Sequence, residues 1–169
     1  GGDINALLDE LQGWQGHMES ERAVLAHRAS HDMLTALPNR AAFDEQLAAR
    51  IEDAARRDRR FALLFIDADN FKAANDNHGH AAGDAVLVAL SARIKETLRN
   101  GDFAARIGGD EFVVIVDPLD QGPGAEAIAA RIRQIAAQPV ALPGGADYRL
   151  AISVGAAVYP DDGDDAARL

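Results

Sequence analysis

Two short apolar stretches, Phe103–Ile107 and Phe112–Val116, flank the tetrad Gly108, Gly109, Asp110 and Glu111. No other feature limits the fold as strongly. Two strands around a Gly-Gly turn form an antiparallel hairpin, because glycine takes positive φ angles at little cost. A second apolar run, Phe61–Ile66, ends at Asp67 and reads as a buried central strand. If that strand and the hairpin are neighbours in one sheet, Asp67, Asp110 and Glu111 converge at its end. Three carboxylates there resist full ionisation unless hard divalent cations compensate them. Two such ions could activate an attacking oxygen and steady a leaving one in phosphoryl or nucleotidyl transfer. Taken singly, each acid reads as a solvated turn residue.

Helical patterns surround these strands. Arg40–Arg57 places Ala42, Phe43, Leu47, Ile51 and Ala54 on one face, and Ala125–Ala137 reads as a further helix. Residues 69–83 read as a polar loop around at most a short helix. Asp84 then opens a long helix with Val86, Leu87, Leu90, Ile94 and Leu98 inward, a place where aspartate serves well as an N-cap. Tyr148–Tyr159 reads as a strand region, followed by an acidic turn over Pro160–Asp165. The resulting fold class is α+β, a mainly antiparallel central sheet flanked by helices.

The first segment, Asp3 to about Ala29, lacks proline and carries a heptad pattern. Ile4, Leu11, Met18 and Leu25 recur at one seam position, Leu7 and Trp14 at the other, where Glu21 and Arg28 then weaken the seam. A seven-residue repeat keeps one apolar stripe facing a partner helix, so a homodimeric coiled coil is expected. Packing of the same stripe on its own domain is the alternative. Residues 1–29 are thus set apart as a signalling and dimerisation helix, and 30–169 as the folded domain.

Composition narrows the partners. The net charge of −10, with no block of lysine and arginine, argues against nucleic acid, whose nonspecific binding needs many phosphates neutralised. With no cysteine, there is no disulfide, thiol nucleophile or cysteine zinc site. The longest apolar run is far too short to span a bilayer. The stretch is expected to be cytoplasmic, either soluble or as the cytoplasmic portion of a membrane-anchored sensor.

Three blocks, taken in order, carry a family resemblance. Arg106-Ile107-Gly108-Gly109-Asp110-Glu111-Phe112 resembles the signature of GGDEF diguanylate cyclases. So does His31 to Arg40, and so does Asp67-Ala68-Asp69-Asn70-Phe71-Lys72 with Asn75-Asp76, Gly79-His80 and Gly83-Asp84. The resemblance spans about Ala29 to Leu169 and implies a palm or nucleotide-cyclase-like sheet. It also implies condensation of two GTP into cyclic di-GMP with loss of pyrophosphate.

Position by position, Asp67, the Ala68 carbonyl and Asp110 resemble the ligands of magnesium, two ions per site, with manganese as a substitute. Asp110 resembles the acceptor of the ribose 3′-hydroxyl proton, and Glu111 completes the acidic cluster. Asn75 and Asp84 resemble guanine readers, with His80 lining the same pocket. Backbone amides around Phe71 and Lys72 resemble the triphosphate cradle, where a helix N-terminus adds positive potential. Arg99 and Asp102 resemble an RxxD site for inhibition by the product, with Arg131 assisting.

Two departures stand out. Ala36 replaces the usual glycine, and the family's final helix, which brings a lysine and an arginine to the phosphates, falls beyond Leu169. The rival class is a non-catalytic receptor for GTP or cyclic di-GMP, against which the intact acids argue. A cyclase of mixed guanine-adenine dinucleotides is a second rival, against which Asp84 argues.

Overall fold

The computed structural model describes residues 2–119 and 124–166. In chain order the elements are α1 (Gly2–Ser30), α2 (Arg40–Arg57), β1 (Phe61–Ala68), α3 (Phe71–His78) and α4 (His80–Thr97). They continue with β2 (Phe103–Arg106), β3 (Glu111–Val116), α5 (Ala125–Ala136), β4 (Val140–Ala141), β5 (Asp147–Tyr148) and β6 (Ile152–Tyr159). Four strands form one sheet in the order β2-β3-β1-β6, with every pairing antiparallel.

β1 lies inside the sheet and is covered on both faces over most of its length, which is why its sequence is a continuous apolar run. Ala62, Leu64 and Ile66 share a core with Val86, Leu90 and Ile94 of α4 and Ile128 and Ile132 of α5. Phe61 and Leu63 point the other way, to Phe43 and Leu47 of α2. There Phe61 stacks on Tyr159, ring centroids 5.0 Å apart. Cover thins toward the end of β1, where Phe65 is 37% exposed.

α2 begins where expected. Asn39 caps it, its side-chain oxygen accepting from the Ala42 amide at 3.1 Å. The same side chain donates to the Ala29 carbonyl at 3.0 Å and so ties the end of α1 to the start of α2. Farther back α1 is bare. Ile4, Leu7, Leu11, Trp14, Met18 and Leu25 are all 46% to 70% exposed, so the stripe does not pack on its own domain. Among the described residues no helix is long and apolar enough to cross a membrane.

Three local expectations change. Residues 69–83 are mostly helical, because Gly79 (φ +87°) ends α3 and starts α4 in a single step. Asp84 therefore sits one turn inside α4, not at its N-cap. In the hairpin, Gly108 and Gly109 are not among the glycines of positive φ. The reversal is wide, with the Ile107 and Gly108 amides both donating to the Glu111 carbonyl, and ordinary angles suffice. Gly108 matters for room, since a Cβ there would stand 3.2 Å from a Glu111 carboxylate oxygen. Finally, the small hairpin β4–β5 was not expected; the Pro143-Gly144-Gly145 turn is its sequence signal.

Candidate active site

Register brings the acids together. Asp67 pairs with Glu111 across β1 and β3, and the Ala68 amide donates to the Asp110 carbonyl at 3.1 Å. Among the described residues, no hydrogen bond or ion pair reaches the side chains of Asp67, Asp110 or Glu111. The Asp67 carboxyl is pushed above the ordinary 3.8, first by lost hydration and then by the charges of Asp110, Glu111 and Asp69. Beside it a cavity of ≈ 270 Å³ is lined by Phe65, Asp67, Ile107, Glu111, Ser153 and Gly155. Asp69, which the motif includes without a role, and Ser153, which no motif marks, belong to this neighbourhood; the Ser153 hydroxyl donates to the Asp69 carboxylate at 2.7 Å.

Among the described residues no three acidic or imidazole side chains are grouped so as to enclose a metal ion. The donors that the motif points to are different: two carboxylates, Asp67 and Asp110, and the Ala68 carbonyl. An all-oxygen set with a mutually repelling pair suits a hard divalent cation that keeps several of its own waters. The residues fit such an ion.

α3 and α4 place the next group. Asn75 is half-buried on α3, and its Oδ1 would lie 1.7 Å from a Cβ on residue 83, so the helices approach this closely only because residue 83 is glycine. Asp84 follows directly and is exposed, as are Lys72 and His80. Phe71 packs against the core. The N-terminus of α3 has no side-chain cap. Asn70, which holds the capping position, instead donates to the Arg149 carbonyl and accepts from the Ala151 amide. His78 meets Tyr148 edge-on, centroids 6.2 Å apart.

Arg99 and Asp102 lie at the far end of β2 from the hairpin turn, already bound to each other. Asp102 Oδ2 accepts from the Arg99 backbone amide at 2.8 Å and from its Nε at 3.3 Å. The Asp102 side chain is 0% exposed. Arg131 is exposed on α5.

Arg106 is a residue to which the motif alone gives no role. Its Nη1 donates to both Asp32 oxygens at 3.0 Å, and its Nε and Nη2 to the Gly109 carbonyl at 3.1 and 2.8 Å. Burial raises the Asp32 pKa, but the Thr35 hydroxyl and amide and the Arg106 guanidinium outweigh it and hold the carboxyl below 3.8.

Comparison with known proteins agrees with this geometry. The family model for the diguanylate cyclase GGDEF domain matches residues 29–169. The chain is 47% identical over its whole length to the diguanylate cyclase TpbB of Pseudomonas aeruginosa, of which it spans 39%. A structure of the GGDEF domain of that protein covers 82% of this chain, and the chain 81% of it, at 45% identity and a TM-score of 0.79. The coiled coil and GGDEF domain of DgcB from Caulobacter crescentus, solved with c-di-GMP, covers 95% of this chain at 26% identity and a TM-score of 0.81; 86% of that structure is matched. The hairpin, the acids around it and these likenesses place the chain in the GGDEF family of diguanylate cyclases.

Proposed function

We propose that this chain is the cyclase module of a longer cytoplasmic or membrane-anchored signalling protein and condenses two GTP into cyclic di-GMP, releasing pyrophosphate. The observation that carries the reading is the β1–β3 register, which sets Asp67 opposite Glu111 and beside Asp110, with no counterion among the described residues.

Each residue has a task in this reading. The Asp84 carboxylate accepts the guanine N1 and N2 hydrogens, a donor pair that adenine lacks, and Asn75 donates to O6 or N3. His80 lines the same rim. Uncapped amides around Phe71 and Lys72, with the Lys72 ammonium, receive the phosphates. Asp110 accepts the proton of the 3′-hydroxyl, and Glu111 keeps the pocket negative enough to hold cations. Magnesium or manganese held by Asp67, Asp110 and the Ala68 carbonyl would supply positive charge for the phosphates and acidify that hydroxyl.

One site holds one GTP, and ring closure needs two attacks, so two copies must face each other. The bare stripe on α1 supports pairing, which raises the local concentration of the second site. Replacing Leu11 and Met18 by charged residues is expected to give a folded monomer that binds GTP and makes little product. Sedimentation checks this, and a variant that stays dimeric rules the stripe out. Product inhibition through Arg99, Asp102 and Arg131 requires Arg99 to swing away from its present carboxylate partner.

The test is to incubate the full-length protein with GTP and magnesium and separate the products. Cyclic di-GMP is expected, with turnover slowing as it is added. GTP bound but unchanged would favour a receptor.

A further inference from the structure

The acid on which the proposed reaction turns, Asp110, lies in a turn, and a turn residue needs something to aim it. Both peptide groups flanking Asp110 are held, from opposite sides. On its C-terminal side the Asp110 carbonyl accepts from the Ala68 amide, next to Asp67. On its N-terminal side the Gly109 carbonyl receives two hydrogen bonds from Arg106. The Gly109 carbonyl and the Asp110 N–H belong to one planar peptide, so fixing the first orients the second.

Arg106 is itself held. Its guanidinium is a rigid fork, and Asp32 takes one Nη1 through both carboxylate oxygens at 3.0 Å. Asp32 in turn accepts from the Thr35 amide at 2.8 Å and hydroxyl at 2.7 Å. Both side chains of the pair are largely shielded, at 16% and 22% exposure. Asp32 lies two residues past the end of α1. The backbone adds a further tie, the Arg106 amide donating to the Pro38 carbonyl at 3.0 Å.

We infer that Arg106 is a positioning residue: pinned by Asp32, it fixes the Gly109–Asp110 peptide and thereby aims Asp110 into the acidic site. The inference rests on the cyclase reading for its effect on rate, though not for its effect on the hairpin. It places the link between the junction after α1 and the reacting end of the sheet in one side chain. Lysine cannot take its place, because a single ammonium cannot grip Asp32 and the Gly109 carbonyl with the same geometry.

The test uses the full-length protein carrying Arg106→Ala, Arg106→Lys, Asp32→Asn and the double variant Asp32→Asn with Arg106→Ala. Three quantities are read: turnover at saturating GTP, GTP affinity, and amide exchange across residues 107–111 and at Ala68. Arg106→Ala should lose about tenfold to a hundredfold in kcat, the scale of an ångström's misplacement, with GTP affinity within about twofold of wild type. Arg106→Lys and Asp32→Asn should fall between, and the double variant should match Arg106→Ala, since the two side chains act as one unit. Exchange in the hairpin should quicken in step, with global melting little changed. Unaltered hairpin exchange in Arg106→Ala overturns the inference. So does additivity of the two substitutions, or a rate loss that only follows the unfolded fraction. A wild-type protein that makes no cyclic product sinks the cyclase reading instead, and hairpin exchange still decides this one.

Discussion

Where α4 gives way to β2, Asp102 accepts from the Arg99 guanidinium and from the backbone amides of Arg99 and Asp117. Asp117 receives Arg50 from α2 at 2.7 Å, and Arg50 also donates to the Gly101 carbonyl. At the opposite end of the same sheet, Asp67, Asp110 and Glu111 lie together with no such partner among the described residues, and burial, then the charges of its neighbours, pushes the Asp67 carboxyl above its ordinary value. Both ends hold acids near strand termini, and composition does not distinguish them. What differs is the counterion. At the first end it comes from within the chain, so its acids already do structural work; at the second no described residue supplies it, which leaves those acids open to a cation.

The contrast can be broken by substitution. Asp110→Ala should lower cyclic di-GMP formation by about a thousandfold, roughly 4 kcal/mol of barrier, while the urea midpoint stays near wild type. A comparable loss of stability would mean that Asp110 is structural after all. Asp102→Ala should do the reverse, removing about 3 kcal/mol of folding free energy because the Arg99 charge is left without its buried carboxylate. Urea unfolding measures this, and an unchanged midpoint would erase the distinction between the two ends.

The smallest effect sharpens the comparison through pH, with magnesium omitted. Asp32 has its pKa lowered in the folded protein, so its stabilising contribution is present above about pH 4 and is lost as pH falls through the folded value. Asp67 has its pKa raised, so it opposes folding at neutral pH, and stability is regained as pH falls through that higher value. Asp67→Asn should therefore raise the neutral melting point slightly and Asp32→Asn lower it, both differences fading in acid. Thermal melts across pH check the two signs, and like signs would refute the opposed environments.

Much of this was legible beforehand. β1 shows as an apolar run because both its faces are covered, and α2 shows its limits because Asn39 and the apolar spacing agree. The acid triad follows from the hairpin and one buried strand being adjacent. Other parts were hidden for physical reasons. The polar stretch 69–83 conceals two helices because a single glycine, Gly79, makes the break, and Gly83 looks like a loop residue although it serves close packing against Asn75. The Gly-Gly turn was legible as a turn but not in its geometry, which spreads over more residues than a tight reversal. Arg106 and Asp32 are 74 positions apart, and no local pattern reveals that they meet.

Ala36, in the junction after α1, sits at φ 61°, where a side chain is unwelcome and glycine is not. It is kept there by the turn around Asp32, whose carbonyl receives the Ala36 amide at 2.9 Å. Holding an alanine in the left-handed region costs about 1 kcal/mol. Residues 31–38 are thus a preloaded joint, bent against the preference of one of its own residues. Any rearrangement that took Ala36 out of the left-handed region would recover that cost.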